Sequence, residues 1–231
     1  MFSILLKKNL EFKLLENQDL KYKEFLCELI PTIDPDTIIG VRTPILRRIS
    51  KYIIKNNLQN VFLTALPHKY FEECQIHSML LSNKMEYQNL IKHINIFLPY
   101  IDNWGTCDTL IPKIEEKNLE DFYICILKWL KSNHEYTVRF GVYMIMKNYF
   151  KKTNIKKYLD VITSIRSDKY YVNMMISWAL AEALYVNYDQ TIKYIENKKL
   201  CKQVQNKTIQ KAIESQKISQ ESKEYLKTLK K

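Results

Sequence analysis

Apolar residues return every three to four positions along almost the whole chain, which predicts helix after helix with short breaks. Residues 2–15 and 19–30 are amphipathic, and the stretch from Pro31 to Pro35 forms a turn. Further helices are expected over 44–55, 57–65, 68–82, 86–98, 103–115, 118–131, 134–149, 154–166, 169–186, 189–196, 203–215 and 219–229. Asp34-Pro35-Asp36 and Thr43-Pro44 read as helix starts, the second with Thr43 as cap and Pro44 in the first helical position. Only three glycines and six prolines punctuate the chain, too few for a set of tight hairpins, so the fold class is all-α. No Gly/Ser linker or abrupt change of composition divides it, and one domain over residues 1–231 is expected.

A faint internal repeat refines that class. Tyr136-Thr-Val138-Arg139-Phe-Gly-Val142 aligns with Tyr170-Tyr-Val172-Asn173-Met-Met-Ile176 at an offset of 34 residues. The same step backwards from Val138 and Val142 lands on Trp104 and Asp108. Repeats of this length, each a pair of helices, predict an α-solenoid. The tetratricopeptide pattern is missing, which leaves HEAT-like units. Segments starting near residues 71, 103, 137 and 171 are then expected to line one concave, basic face.

Charge changes the picture next. The formal net charge is +11, from 36 Lys+Arg against 25 Asp+Glu. Such an excess favours polyanions, nucleic acid first and an anionic membrane surface second. Two runs rise above the lysine-rich background. Arg42, Arg47, Arg48, Lys51 and Lys55 follow one another with no acid between Val41 and Asn57. Arg139, Lys147, Lys151, Lys152, Lys156 and Lys157 do the same. Solvated helix faces are the bland reading of either run; two of them in a solenoid predict a phosphate-tracking groove. Arg42 ahead of Thr43-Pro44 adds a guanidinium to a helix N-terminus, a natural anion site.

The remaining composition bounds what else the chain does. Its five cysteines (Cys27, Cys74, Cys107, Cys125, Cys201) contain no C-x-x-C pair and read as reduced thiols of a cytosolic protein. Cys74 and His77 stand at a metal-compatible spacing, but no second pair completes four ligands, so no metal is expected. No cofactor is expected either. No apolar run approaches the ~20 residues of a membrane span, and the opening apolar stretch stops at Lys7-Lys8, short of a signal-peptide core. The expectation is a soluble, cytoplasmic monomer.

Two stretches carry the chemistry. Trp104 and Asp108 are four residues apart, so on a helix they share one face about a turn from each other. An indole beside a carboxylate suits a cationic sugar or base. Trp178 follows in Met174-Met-Ile-Ser-Trp-Ala-Leu, a context that ordinarily belongs to a core.

With these residues in view, the chain resembles the AlkD-type DNA alkylation repair proteins, DNA glycosylases built from HEAT-like repeats. The match rests on Gly40-Val-Arg-Thr43-Pro44-Ile-Leu-Arg47-Arg48, Trp104-Gly-Thr-Cys-Asp108-Thr-Leu-Ile-Pro112, Tyr136-Thr-Val-Arg139 and Ile176-Ser-Trp178-Ala-Leu, in that order. The resemblance implies that Trp104 and Asp108 supply an indole and the catalytic carboxylate. It implies a second indole at Trp178 and a DNA-contacting arginine at Arg139. It further implies hydrolysis of the N-glycosidic bond of N3- and N7-alkylated purines in double-stranded DNA, without flipping the lesion into a pocket. Arg42, Thr43, Arg47, Lys51 and Tyr171 complete the expected DNA contacts. The chain departs from the family where an arginine-rich start to the last helix is replaced by Lys202-Gln-Val-Gln-Asn-Lys207, less suited to bidentate phosphate grips. The segment before Gly40 also departs from it.

Each residue has a plainer reading. Asp108 would pair with a lysine, Trp104 would staple its helix start, and Tyr170 and Tyr171 would pack between repeats. Trp129 is assigned to packing, and His68, His77, His93 and His134 to core or surface. At the level of the whole protein the alternative is a non-catalytic HEAT-like DNA- or RNA-binding protein that keeps the groove without the chemistry. A protein-interaction solenoid is a third class.

Overall fold

The computed structural model describes residues 2–151 and 154–231, with side chains of the first helix described from Asn9 onward. Among the described residues every regular element is helical. The chain divides into two compact units, the first ending at Lys113 and the second spanning Ile114–Lys231.

The first unit holds α1 (Phe2–Leu15), α2 (Leu20–Leu29), α3 (Thr43–Lys55), α4 (Gln59–Leu63), α5 (Phe71–Leu81), α6 (Tyr87–Phe97) and α7 (Trp104–Thr109). Helix α5 is its centre and packs against α3, α4, α6 and α7. That position explains its composition: Phe71, Ile76, Leu80 and Leu81 are buried on more than one side, and even Glu72, His77 and Ser78 have no solvent exposure. A helix that is buried all round loses the polar stripe of a surface helix, so every polar group on it needs an internal partner.

Glu72 meets that requirement with backbone. Its Oε1 accepts from the N–H groups of Gly40 at 2.7 Å and Val41 at 3.1 Å, and its Oε2 from Ile39 at 3.1 Å. The carboxylate thereby fixes the segment that leads into α3. Gly40 bends there at φ +94°, where a Cβ would stand 2.6 Å from the Asp19 carbonyl oxygen.

His77 is answered by rings. It stacks on Phe97 at 3.8 Å between centroids, and its Nδ1 lies 2.8 Å from His68 Nε2. Burial, together with His68 and His93, pushes its pKa down from 6.5 to about 2. Folded His77 therefore stays neutral in mild acid, while the unfolded chain takes up a proton there below its ordinary pKa. The unfolded state binds more protons, so stability is complete above about pH 6.5 and falls as pH drops below it, by about 1.4 kcal/mol per pH unit for this group. Urea unfolding at pH 6.5 and 5.0 is expected to differ by about 2 kcal/mol from this cause, and the difference should shrink by that amount in His77→Leu. An unchanged difference in the variant would show that the slope comes from elsewhere.

The second unit holds α8 (Leu119–Trp129), α9 (Glu135–Tyr149), α10 (Lys156–Ser164), α11 (Tyr170–Val186), α12 (Tyr188–Glu196), α13 (Lys202–Glu214) and α14 (Gln220–Thr228). Helix α11 is flanked by α9 and α13; α8 packs on α9, α10 on α9, α11 and α12, α12 on α11, and α14 on α13. The result is a stack of helices, consistent with an α-solenoid of helical repeats. The sequence repeat maps onto the first two to three turns of α9 and α11, where Val138, Val142, Val172 and Ile176 are all buried. Trp129 packs edge-on to Phe122, 5.7 Å away, in the core of this unit. The basic run of residues 139–157 continues through Lys152, which lies outside the described residues.

Two local expectations need correction. The helix expected over 103–115 ends at Thr109, and Leu110 is extended at ψ 96°. Pro112 accounts for the early end, because a proline disfavours helical geometry in the residue before it and offers no N–H to continue the ladder. Thr43 is not the cap of α3. Arg42 holds that place in extended geometry, and Thr43 and Pro44 already belong to the first turn.

Candidate nucleic-acid interface

Helix α7 is only six residues long, too short to stand without tertiary ties. Asn103 caps it, its Oδ1 accepting from Thr106 N–H at 2.7 Å. Helix α5 holds the rest. Ser78 Oγ donates to the Thr106 carbonyl at 3.1 Å, and Gln75 Nε2 donates to Thr106 Oγ1 at 3.2 Å. Thr109 Oγ1 lies 2.9 Å from Gln75 Oε1, and past the helix end Ile111 N–H donates to Ser82 Oγ at 2.8 Å. The short helix is thus pinned along its whole length.

Trp104 and Asp108 share one face of this helix and both are half-buried. The indole packs against a cluster formed by Leu26, Ile30, Ile33, Ile38 and Phe71, beside Tyr22 and Cys27. One side of the ring is therefore anchored, as the stapling reading expected. Gly105 permits the close approach, since a Cβ there would lie 3.0 Å from Ile30 Cδ1. An acid on so rigid a support loses little orientational freedom when it meets a ligand, which is the property a catalytic carboxylate needs.

Around the start of α3 the cations divide. Arg42 donates from Nε to Asp19 Oδ2 at 2.8 Å, its Nη2 is equally close, and its guanidinium lies 5.0 Å from the Tyr22 ring centroid. Asp19 also caps α2, and the Tyr22 N–H and the Arg42 guanidinium hold its carboxyl below the usual range. Any phosphate at Arg42 must compete with this carboxylate. Arg47 and Lys51 are exposed one turn apart on α3, and Thr43 is half-buried. No acid sits in the first turn of α3, which leaves its positive end uncompensated.

In the second unit Arg139 is 6% exposed, and its Nη1 donates to the Tyr171 carbonyl at 2.8 Å. The Tyr171 N–H in turn donates to Glu135 Oε1 at 2.8 Å. This couples the first turns of α9 and α11. The Tyr171 ring is half-buried between Tyr136, 5.7 Å away, and Tyr170, 5.0 Å away. Trp178 is half-buried and stacks on Tyr143 at 5.7 Å and 28°, with Lys147 Nζ 5.4 Å from the Tyr143 centroid. A cation behind a stacked pair of rings is a surface on which nucleic acid gains both π contact and charge.

The expected site residues thus fall into local groups: Trp104 with Asp108 on α7, Arg47 with Lys51 on α3, Arg42 with Asp19, and Arg139 with Tyr171. Trp178 joins Tyr143, which sequence reasoning had not singled out. Lys207 and Lys211 stand one turn apart on α13. Burial, Lys207 and Arg139 hold the Lys211 ammonium below the ordinary lysine range, so this lysine stands in the electrostatic neighbourhood of Arg139.

A groove of about 760 Å³ opens at the first turns of α9, α11 and α13, with Leu130, Ile162, Val172 and Val204 as an apolar floor and Arg166 and Lys169 at its rim. Among the described residues Arg139, Tyr171 and Trp178 do not line it. Nor, among the described residues, is there a group of three or more His, Cys, Asp or Glu side chains placed to hold a metal. No helix among them is long and apolar enough to cross a membrane.

Stacked helix pairs, with an indole and a carboxylate pinned on one short helix, define an all-helical repeat protein. The chain belongs to the DNA alkylation repair enzyme family, whose model matches residues 7–216. Comparison with curated proteins gave no match. Membership places the chain in DNA alkylation repair, with DNA as the substrate of that process.

Proposed function

We propose that this protein is a DNA glycosylase that hydrolyses the N-glycosidic bond of N3- and N7-alkylated purines in duplex DNA without base flipping. The observation that carries the reading is the Trp104–Asp108 face of α7, held rigid by Asn103, Gln75 and Ser78 in a member of this family. An alkylated purine already bears positive charge and leaves without a strong general acid. Its departure turns the sugar into an oxocarbenium-like cation. Ionised Asp108 stabilises that cation and orients the attacking water, while Trp104 beside it offers a ring face to the cationic nucleotide; Trp178 is the proposed second indole on DNA, carried by the second unit. Tyr171 is the proposed contact to the flanking backbone, and Arg139, enclosed and bonded to the Tyr171 carbonyl, holds it in place. Residues 1–231 are proposed to work as one HEAT-like repeat domain, monomeric on its DNA.

The test is release of free alkylpurine from methylated duplex DNA, wild type beside Asp108→Asn. Release no greater than in buffer, with DNA binding intact, would end the glycosylase reading. The alternative is a non-catalytic HEAT-like DNA- or RNA-binding protein that keeps the groove without the chemistry. Under that alternative Asp108→Asn changes neither binding nor release.

Both readings share a prediction for α3. Arg47→Ala with Lys51→Ala removes two exposed cations, and the slope of log affinity against log salt is expected to fall by about 2. Arg42→Ala should change the slope by less, because Asp19 already answers that charge. Equal slopes for wild type and the double variant would remove α3 from the interface.

A further inference from the structure

We propose that Trp178 and Glu182 form a second recognition site, one that reads the positive charge of an alkylated purine in DNA. The proposal rests on the reading of alkylated purines as substrates of this protein, and it gives Glu182 a role of its own. Glu182 follows Trp178 by four positions on α11, so the two share a face one turn apart. This is the spacing of Trp104 and Asp108, present again within the second unit. Most of α11 is buried against its neighbours. From its second turn onward it reaches solvent along one stripe, formed by Tyr171, Met174, Trp178, Glu182 and Tyr185 at steps of three to four. Glu182 is the only acid on the helix.

The groups around this acid indicate what it meets. Lys217 Nζ lies 3.4 Å from Glu182 Oε1 and 4.5 Å from the Tyr185 ring centroid. Glu182 Oε2 accepts no hydrogen bond among the described residues. The lysine side chain is 53% exposed and the glutamate 34%, so their pairing is weak and is exchanged at little cost. A carboxylate on a face that meets DNA repels phosphate unless the ligand itself brings a positive group, and an N3- or N7-alkylated purine brings one. Beside it, buried Tyr143 stacks on the Trp178 ring at 5.7 Å and 28° and fixes its plane, while the indole stays half-exposed. A purine cation over that indole gains cation–π attraction, strongest at tryptophan, with its charge about one turn from Glu182. Lys217, displaced from the carboxylate, then turns to the phosphate next to the base. One ion pair becomes two. With a neutral purine there is no such exchange, because Glu182 keeps Lys217.

The test uses the full chain and two duplexes of one sequence. One carries a 2′-fluoro N7-methylguanine, whose glycosidic bond resists hydrolysis because fluorine destabilises an oxocarbenium-like sugar. The other carries the neutral isostere 7-methyl-7-deazaguanine on the same sugar. The shapes match, so the ratio of the two affinities reports charge. Wild type is expected to favour the cationic duplex about five- to tenfold. Glu182→Gln keeps the size and is expected to cut that preference about threefold, while affinity for the neutral duplex holds or rises. Lys217→Met removes the competing cation and is expected to retain the preference. Equal binding of both duplexes by wild type, an undiminished preference in Glu182→Gln, or a preference lost in Lys217→Met would each overturn the proposal. Release of alkylpurine from ordinary methylated duplex is measured in parallel. Wild-type release, with a preference that Glu182→Gln leaves intact, rejects the charge-reading site alone. A preference that falls in Glu182→Gln, without release by wild type, rejects the glycosylase reading alone.

Discussion

Asp108→Asn is expected to lower alkylpurine release about 100- to 1,000-fold while leaving affinity for DNA nearly unchanged. The substitution preserves size and removes charge, so it isolates the electrostatic contribution. A preorganised group aimed at charge that develops only in the transition state is worth about 2.7–4 kcal/mol, and each 1.36 kcal/mol is tenfold in rate. Asp108 is well placed for such a contribution, because the helix that carries it does not have to reorganise. Its first turn is fixed through Asn103 and Thr106, and its last through Thr109 and Gln75. Because the cationic sugar exists only as the bond breaks, the loss belongs in kcat rather than in KM. A fall in binding as large as the fall in release would mean that Asp108 holds the ground state instead. Gln75→Ala provides a graded companion: it leaves the carboxylate in place and loosens its support, so a smaller loss of kcat with unchanged lesion preference is expected.

The contrast between these two positions shows what could be read from sequence. Trp104 and Asp108 were legible because a helical face is a local property, set by a spacing of four along the chain. The same local logic located α9 and α11 and their repeat, since Val138, Val142, Val172 and Ile176 point inward at matching places. It failed at α7, where the apolar pattern runs on past Thr109 but Pro112 stops the helix. The side chains that pin α7 were invisible, because Gln75, Ser78 and Ser82 lie about thirty residues before the groups they bind and have no periodic signature. Arg139 presented the opposite problem. A cation in a basic run is read as solvated, yet its guanidinium is enclosed and bonded to the Tyr171 carbonyl, a contact only the packing of α11 on α9 creates. Arg42 was read as an open anion site, and Asp19, at the far end of α2 and of the loop after it, is what answers it.

The largest effect on stability is expected at Glu72, a residue without a place in any motif. Glu72→Ala should lower unfolding free energy by about 3–5 kcal/mol, a large share of the 5–15 kcal/mol typical of a folded protein. Three backbone N–H groups converge on this fully buried carboxylate. Removing it strands those donors in a site that a small alanine cannot fill, and each buried donor left unsatisfied costs about 1–3 kcal/mol. The three losses are not independent, which keeps the sum below the largest additive value. Thermal unfolding of the variant should come roughly 10 °C earlier for a chain of this size. Gly40→Ala strikes the same segment from the other side, forcing a Cβ against the Asp19 carbonyl oxygen at a positive φ. Because both changes release one loop, the double variant should be less destabilised than the two single effects added together. Full additivity would show that Glu72 and Gly40 act on separate parts of the unit. The consequence reaches the DNA contacts, because the loop that Glu72 holds ends at Arg42, whose extended backbone opens α3. Loss of the carboxylate should therefore weaken the α3 contribution to DNA binding even at temperatures where the variant remains folded, whereas substitutions of equal cost in the α9–α11 core should leave it intact.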